Sequence, residues 1–187
     1  MRDELERTLF TEFPDLYWTH TQDHSHSLMC YGFAVRDGWY NILYRLSTKI
    51  KSIISSMPGE GVDPKQYCAS QVKEKFGGLR FYMHNSTMEI GEAIREAEEE
   101  AARTCETCGN PGTLNEEGWL MTLCGECREQ HEREKRERWR TLRRKDSGWS
   151  WGLLMPKCKW FASPIVVGWI PLPSLDRLTH VVHSLHR

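Results

Sequence analysis

CETCGNPGTLNEEGWLMTLCGEC, residues 105–127, is the stretch whose reading decides the fold. It holds two Cys-x-x-Cys pairs, Cys105/Cys108 and Cys124/Cys127, separated by the fifteen residues 109–123. Two residues between cysteines let one tight turn present both sulfurs to a single ion, and zinc takes four such donors at tetrahedral corners. Gly109 follows the first pair and Gly125 lies inside the second, where tight backbone is needed. Between the pairs, Pro111-Gly112 and the turn at residues 115–118 flank two short apolar runs, Thr113–Leu114 and Trp119–Leu123, which read as a hairpin. Knuckle, hairpin and following helix are similar to the treble-clef class of zinc finger, with a zinc ribbon the close alternative. All four ligand places are taken by thiolates, so the zinc would be structural and not catalytic. A redox dithiol or a pair of disulfides is the competing reading of the same residues.

Working outward, residues 128–145 are nearly all charged. Glu129/Arg133, Glu132/Arg136 and Glu134/Arg138 are i,i+4 pairs in the favourable order, which predicts a solvated helix. On the other side of the motif, Ile90, Ala93, Ile94, Ala97 and Ala101 form the apolar stripe of an acidic helix opened by a Ser86-x-x-Glu89 capping box. Before it, Leu79, Phe81 and Met83 alternate with Arg80, Tyr82 and His84, a strand pattern. Asp63-Pro64 with Gln66 reads as a helix start, giving a helix that runs to Phe76 and is capped by Gly77-Gly78. Trp39, Ile42, Leu43, Leu46, Ile50, Ile53 and Ile54 recur at helical spacing and predict the central core helix, opened at Asp37-Gly38 and ended by Pro58-Gly59. A helix ending near Pro14, a polar loop at residues 20–26 and a strand around Leu28–Val35 complete the first part.

After residue 146 charge falls and Trp149, Trp151, Trp160 and Trp169 appear. A strand at Ile165–Ile170 and a terminal amphipathic helix from Ser174 are expected there, with His180, His183 and His186 near one face as a cationic last turn. The organisation read from the chain is α+β: a helix and strand domain over 1–100, a zinc-binding module with its charged helix over 101–146, and a tryptophan-rich extension over 147–187.

The bulk composition narrows the function classes. The 187 residues are 39% hydrophobic and 27% charged, with eight tryptophans, which suits a globular protein with a real core or aromatic contact surfaces. A net charge of −1 excludes whole-chain electrostatic attraction to nucleic acid, so such binding needs a local patch. No segment reaches the length of a membrane span, and MRDELERTLF lacks the basic start and apolar run of a signal peptide. The expected setting is cytoplasmic. In a reducing compartment the paired cysteines favour metal over disulfide; Cys30, Cys68 and Cys158 are scattered.

Three further groups are candidates. Arg143, Arg144 and Lys145, near Trp149 and Trp151, are the best local candidate for nucleic-acid contact, cations meeting phosphate and aromatics stacking on bases. Lys73, Lys75 and Arg80 cluster around Gly77-Gly78 and suit a small nucleotide-like anion or the acidic face of a partner, with a solvated turn the preferred reading. His20, His24 and His26 with Asp23 have the residue types of a metal site, but no second set of ligands accompanies them and a polar loop is the preferred reading. No glycine-rich phosphate loop, nucleophile elbow, metalloprotease helix or His-Asn-His arrangement is present, so the sequence marks no enzymatic centre.

The run Gln71-Val-Lys-Glu-Lys-Phe-Gly-Gly-Leu-Arg-Phe-Tyr82, the acidic helix, Thr104-Cys105-Glu-Thr-Cys108-Gly-x-Pro-Gly and then Trp119 to Cys127 together resemble a family of uncharacterised phage and prophage proteins. The upstream Gly38-Trp39 helix fits the same pattern, and the likeness covers about residues 13–130. The resemblance implies a small zinc-containing accessory protein carried by phages. The expected function is that of a non-enzymatic accessory protein that binds a host or phage protein in the cytoplasm of a bacterial host cell. It implies no activity and transfers no catalytic residue.

Overall fold

The computed structural model describes residues 1–57, 63–116 and 118–146. The expected tail elements, Trp149, Trp151 and the last three histidines lie outside them, as does Pro58-Gly59. Within the described residues the chain is α+β, with helices and two small antiparallel sheets. The described residues belong to one compact unit.

The first helix, α1 (Asp3–Glu12), is followed at once by α2 (Pro14–Tyr17), with Pro14 at its first position. Pro14 has no N–H to lose there, so it starts a turn as well as ending the previous helix. Leu9, Phe13, Leu16 and Tyr17 go into the core. A 3-10 turn at Asp37–Trp39 leads into α3 (Tyr40–Ser56), which buries Ile42, Leu43, Leu46, Ile50 and Ile53 as its spacing predicts. The buried Tyr17 hydroxyl bonds Ser47 Oγ at 2.7 Å, and Ser47 donates to the Leu43 carbonyl at 2.7 Å. Both hydroxyls are thereby satisfied inside an apolar core, which is the condition for keeping them there.

Two expectations fail in instructive ways. Leu28–Val35 is not a strand: Leu28–Tyr31 is a 3-10 turn, Gly32 follows with φ +72°, and only Ala34 pairs with the neighbouring sheet, donating to Val72 O and accepting from Glu74 N. The helix expected from Asp63 to Phe76 is a single 3-10 turn, Pro64–Tyr67, followed by β1 (Ala69–Lys75). Asp63 caps as expected, accepting from Lys65 N at 3.0 Å, but the turn goes no further. Strand β1 pairs antiparallel with β2 (Gly78–Met83), and the register slips between Ala69 and Gln71. That extra residue puts Ala69 and Val72, three apart, on the same buried face. A bulged strand thus reproduces the spacing of a helix, and its Lys and Glu residues are helix formers; pairing with β2 decides the outcome.

Gly77-Gly78 is accordingly a hairpin turn and not a helix cap. Lys75 faces Gly78 across a two-residue loop, Phe76-Gly77, with φ +56° and +77°. Positive φ at both central residues is the type I′ geometry that matches strand twist.

The acidic helix α4 (Met88–Ala101) is capped one residue later than the capping box predicts: Thr87 Oγ1, not Ser86, accepts from Ile90 N at 3.2 Å. Its small Ala93, Ala97 and Ala101 face the core with Ile90. Glu98 turns to the outer edge of β2, accepting from Phe81 N at 3.2 Å and lying 3.4 Å from Arg80. This occupies an edge N–H that would otherwise invite another strand. Two further short strands, β3 (Thr113–Asn115) and β4 (Met121–Leu123), form the expected second hairpin, and α5 (Gly125–Asp146) is the charged helix.

Candidate metal centre

The first cysteine pair leaves α4 in a tight knuckle. Gly109, at φ +80°, donates to Cys105 O at 2.9 Å, and Cys105 N donates to Asn110 O at 2.7 Å. The second pair straddles the start of α5: Cys124 immediately precedes it, accepting from Arg128 N at 3.0 Å, and Cys127 sits in its first turn. Arg128 clasps that turn to β3 through bonds from Nη2 to Thr113 O and Oγ1, 3.1 and 3.0 Å.

These elements bring the four sulfurs within 4.8 Å of one another. Cys108 Sγ and Cys124 Sγ are 3.6 Å apart and all six described cysteines are free thiols. A disulfide needs ~2.05 Å. Four sulfurs at ~2.3 Å from a central ion are ~3.8 Å apart along each tetrahedral edge. The arrangement therefore has the dimensions of a metal cage and not of a disulfide pair. Burial disfavours the Cys105 thiolate, but N–H groups of Cys124, Cys108 and Thr107 outweigh it and bring the thiol to about 7. Burial and the neighbouring sulfurs push Cys127 the other way, upward. Sulfurs this close do not all ionise unless a cation joins them. The donor set fits one bound metal ion.

The knuckle is also built into the main body. Trp39, fully buried, donates from Nε1 to Thr104 O at 2.9 Å, and Gly38 N donates to Glu106 O at 2.8 Å. A Cβ on Gly38 would lie 2.2 Å from Cys105 O, so only glycine fits. From the far side, Thr122 Oγ1 donates to Gly77 O at 2.6 Å, fixing the β1–β2 turn against β4. Gly38, Trp39, Glu106, Thr122 and Arg128 hold the centre in place, and sequence reading had not singled them out for it. Gly38-Trp39 carries a faint signal, a glycine before a large aromatic, but helix initiation explains it equally well. Glu106 is 4% exposed; burial raises its carboxyl, opposed by Arg36 at 3.9 Å, and its Oε2 has no hydrogen-bond partner.

The other candidate residues lie outside this centre. Among the described residues the four cysteines are the only Cys, His, Asp or Glu group close enough to hold an ion. His20 stacks on Phe10 at 4.1 Å and bonds Tyr17 O, while His24 and His26 stay exposed in the polar loop. Lys73 faces Arg80 across the hairpin, but Lys73 Nζ lies 5.4 Å over the Tyr82 ring, Lys75 Nζ 5.3 Å over Phe76, and Arg80 Nη1 bonds Leu79 O and Glu98. Arg143 is exposed on α5; the side chains of Arg144 and Lys145 lie outside the described residues. No helix among the described residues is long and apolar enough to cross a membrane. No protein-family model, curated protein or solved structure matches this chain.

Proposed function

We propose that this chain is a non-enzymatic accessory protein of the phage type, shaped by one structural zinc ion in a treble-clef-like site, that works in the cytoplasm of a bacterial host by binding another protein. Thiolate-only ligation suits zinc among the available divalent metals, and a fully protein-ligated ion leaves no place for a reacting water. A helix starting at the second cysteine pair supports the treble-clef reading over a ribbon.

The observation that carries the partner reading is Phe76. It sits in left-handed backbone, a conformation that costs a residue with a Cβ about 1–2 kcal/mol, yet its ring is 69% exposed and recovers little burial. Strain kept at a surface aromatic points to a contact made outside the fold. Gly77, next in sequence, abuts Leu114 and the backbone of Leu120 and Met121. Phe76 therefore stands beside a hairpin that exposes Leu114 at 43% and Trp119 at 74%. Aromatic anchors grouped this way are what protein interfaces use.

Affinity purification from infected cells tests the reading. The wild-type chain captures a defined protein in stoichiometric amount, and Phe76→Asn or Trp119→Ala, still folded and metal-loaded, loses it. Capture unchanged by both substitutions contradicts the proposal.

A further inference from the structure

The basic helix makes a separate surface, remote in sequence from the Phe76 turn. Of the three ion pairs its spacing predicts, only Arg133–Glu129 forms, at 3.8 Å. Glu132 turns instead to Lys135 at 3.5 Å, and Glu134 accepts from Gln130 at 3.0 Å. Among the described residues Arg136, Arg140 and Arg143 therefore have no carboxylate partner. At about 100° per residue, Arg133, Arg136, Arg140 and Arg143 fall within an arc of about 80° and span ~15 Å of helix; Glu129, the partner of Arg133, falls inside that arc, Glu132 on its border, and Glu134 and Glu137 outside it. Trp139, 58% exposed, borders the stripe, and Arg136, Trp139, Arg140 and Arg143 line one shallow groove.

We propose that this face of α5 binds single-stranded nucleic acid, the arginines Arg136, Arg140 and Arg143 tracking successive phosphates while Trp139 stacks on a base. Charge complementarity selects the occupant. A row of guanidinium groups with no carboxylate partner among the described residues suits a polyanion, and a flat aromatic beside it adds a contact that polynucleotides offer and acidic peptides do not. The chain's own tail is a poor match: between residues 147 and 187 the only acidic side chain is Asp176, against Lys157, Lys159, Arg177 and Arg187. Arg136, Arg140 and Arg143 begin about two turns N-terminal to the contact expected from the sequence, Arg143-Arg144-Lys145, and share only Arg143 with it.

The test uses the full-length, metal-loaded protein, with fluorescence anisotropy of labelled oligo-dT and oligo-U over a range of salt. Three to four phosphate contacts predict a slope of log K against log salt of about −2 to −3 for a single strand. Arg136→Gln with Arg140→Gln lowers that slope by roughly 1.4, whereas Arg138→Gln, on the opposite side of the helix, leaves affinity nearly unchanged. Trp139→Ala weakens binding about 5-fold or more with the slope intact. Circular dichroism confirms that the variants keep their helix. No binding at low salt overturns the proposal. So does equal loss with Arg138→Gln, or equal competition by polyglutamate with no effect of Trp139→Ala. Salt-sensitive self-association abolished by the same arginine variants also overturns it, assigning the stripe to the acidic α4 of a second copy. None of these outcomes depends on protein capture through Phe76.

Discussion

Phe76 is the residue where fold and proposed function pull in opposite directions. The turn wants Asn-Gly, since asparagine tolerates left-handed backbone and phenylalanine does not. Phe76→Asn is expected to stabilise the protein by about 1 kcal/mol, raising Tm by about 2–4 °C, while removing the partner contact. A thermal melt run beside the capture experiment checks both halves. Asp37 has the opposite character. It accepts from Arg2 N at 2.8 Å and from Arg2 Nε at 2.5 Å. Burial opposes its charge, but these bonds and the Arg2 guanidinium outweigh that and hold its carboxyl below the usual range. A lowered carboxyl contributes stability above its unfolded pKa that is lost as pH falls through the folded one. Asp37→Asn should therefore lower Tm at pH 7, with the deficit shrinking on acidification below about pH 4, the ordinary aspartate range; a deficit independent of pH would contradict this account. Single residues were the least legible scale. Nothing in the sequence distinguishes Glu106 or Thr122 from a surface residue, because their burial comes from a hairpin and a helix far away in the chain.

At the scale of elements, legibility followed periodicity. Helices α3, α4 and α5 and the β3–β4 hairpin could be read because each has its own unbroken pattern and local start or stop signals. Strand β1 could not, because its bulge places Ala69 and Val72 at helical spacing. Element packing also depends on one glycine. The turn before α3 approaches the metal knuckle so closely that Gly38→Ala must push the two apart. The expected cost is about 1–3 kcal/mol, typical of overpacking, seen as a lower denaturation midpoint. Metal affinity should weaken with it, since Gly38 N–H bonds Glu106 O inside the first Cys-x-x-Cys pair. A Gly38→Ala protein with wild-type stability would show that the knuckle is not held by this contact.

For the whole molecule, the four-cysteine cage is both the part most plainly written in the sequence and the part that joins the rest. The knuckle touches the entry to α3, β4 holds the β1–β2 turn, and α5 leaves from the second pair. β3, β4 and the knuckle bury little apolar surface of their own beyond Cys105, Met121 and Leu123, so an ion bound by the four cysteines would supply much of their folding free energy. Removing it with a chelator should lower Tm and loosen α5 at its base while leaving the core around Trp39 and Tyr17 largely formed, a difference that hydrogen exchange resolves. The measurement that tests this most directly is the metal content of protein purified under reducing conditions, with X-ray absorption at the metal edge. The account predicts one zinc per chain with four sulfur neighbours at ~2.3 Å, and loss of the ion in any Cys→Ser variant at positions 105, 108, 124 or 127. Metal-free protein with four freely titrating thiols, folded as well as before, would contradict it.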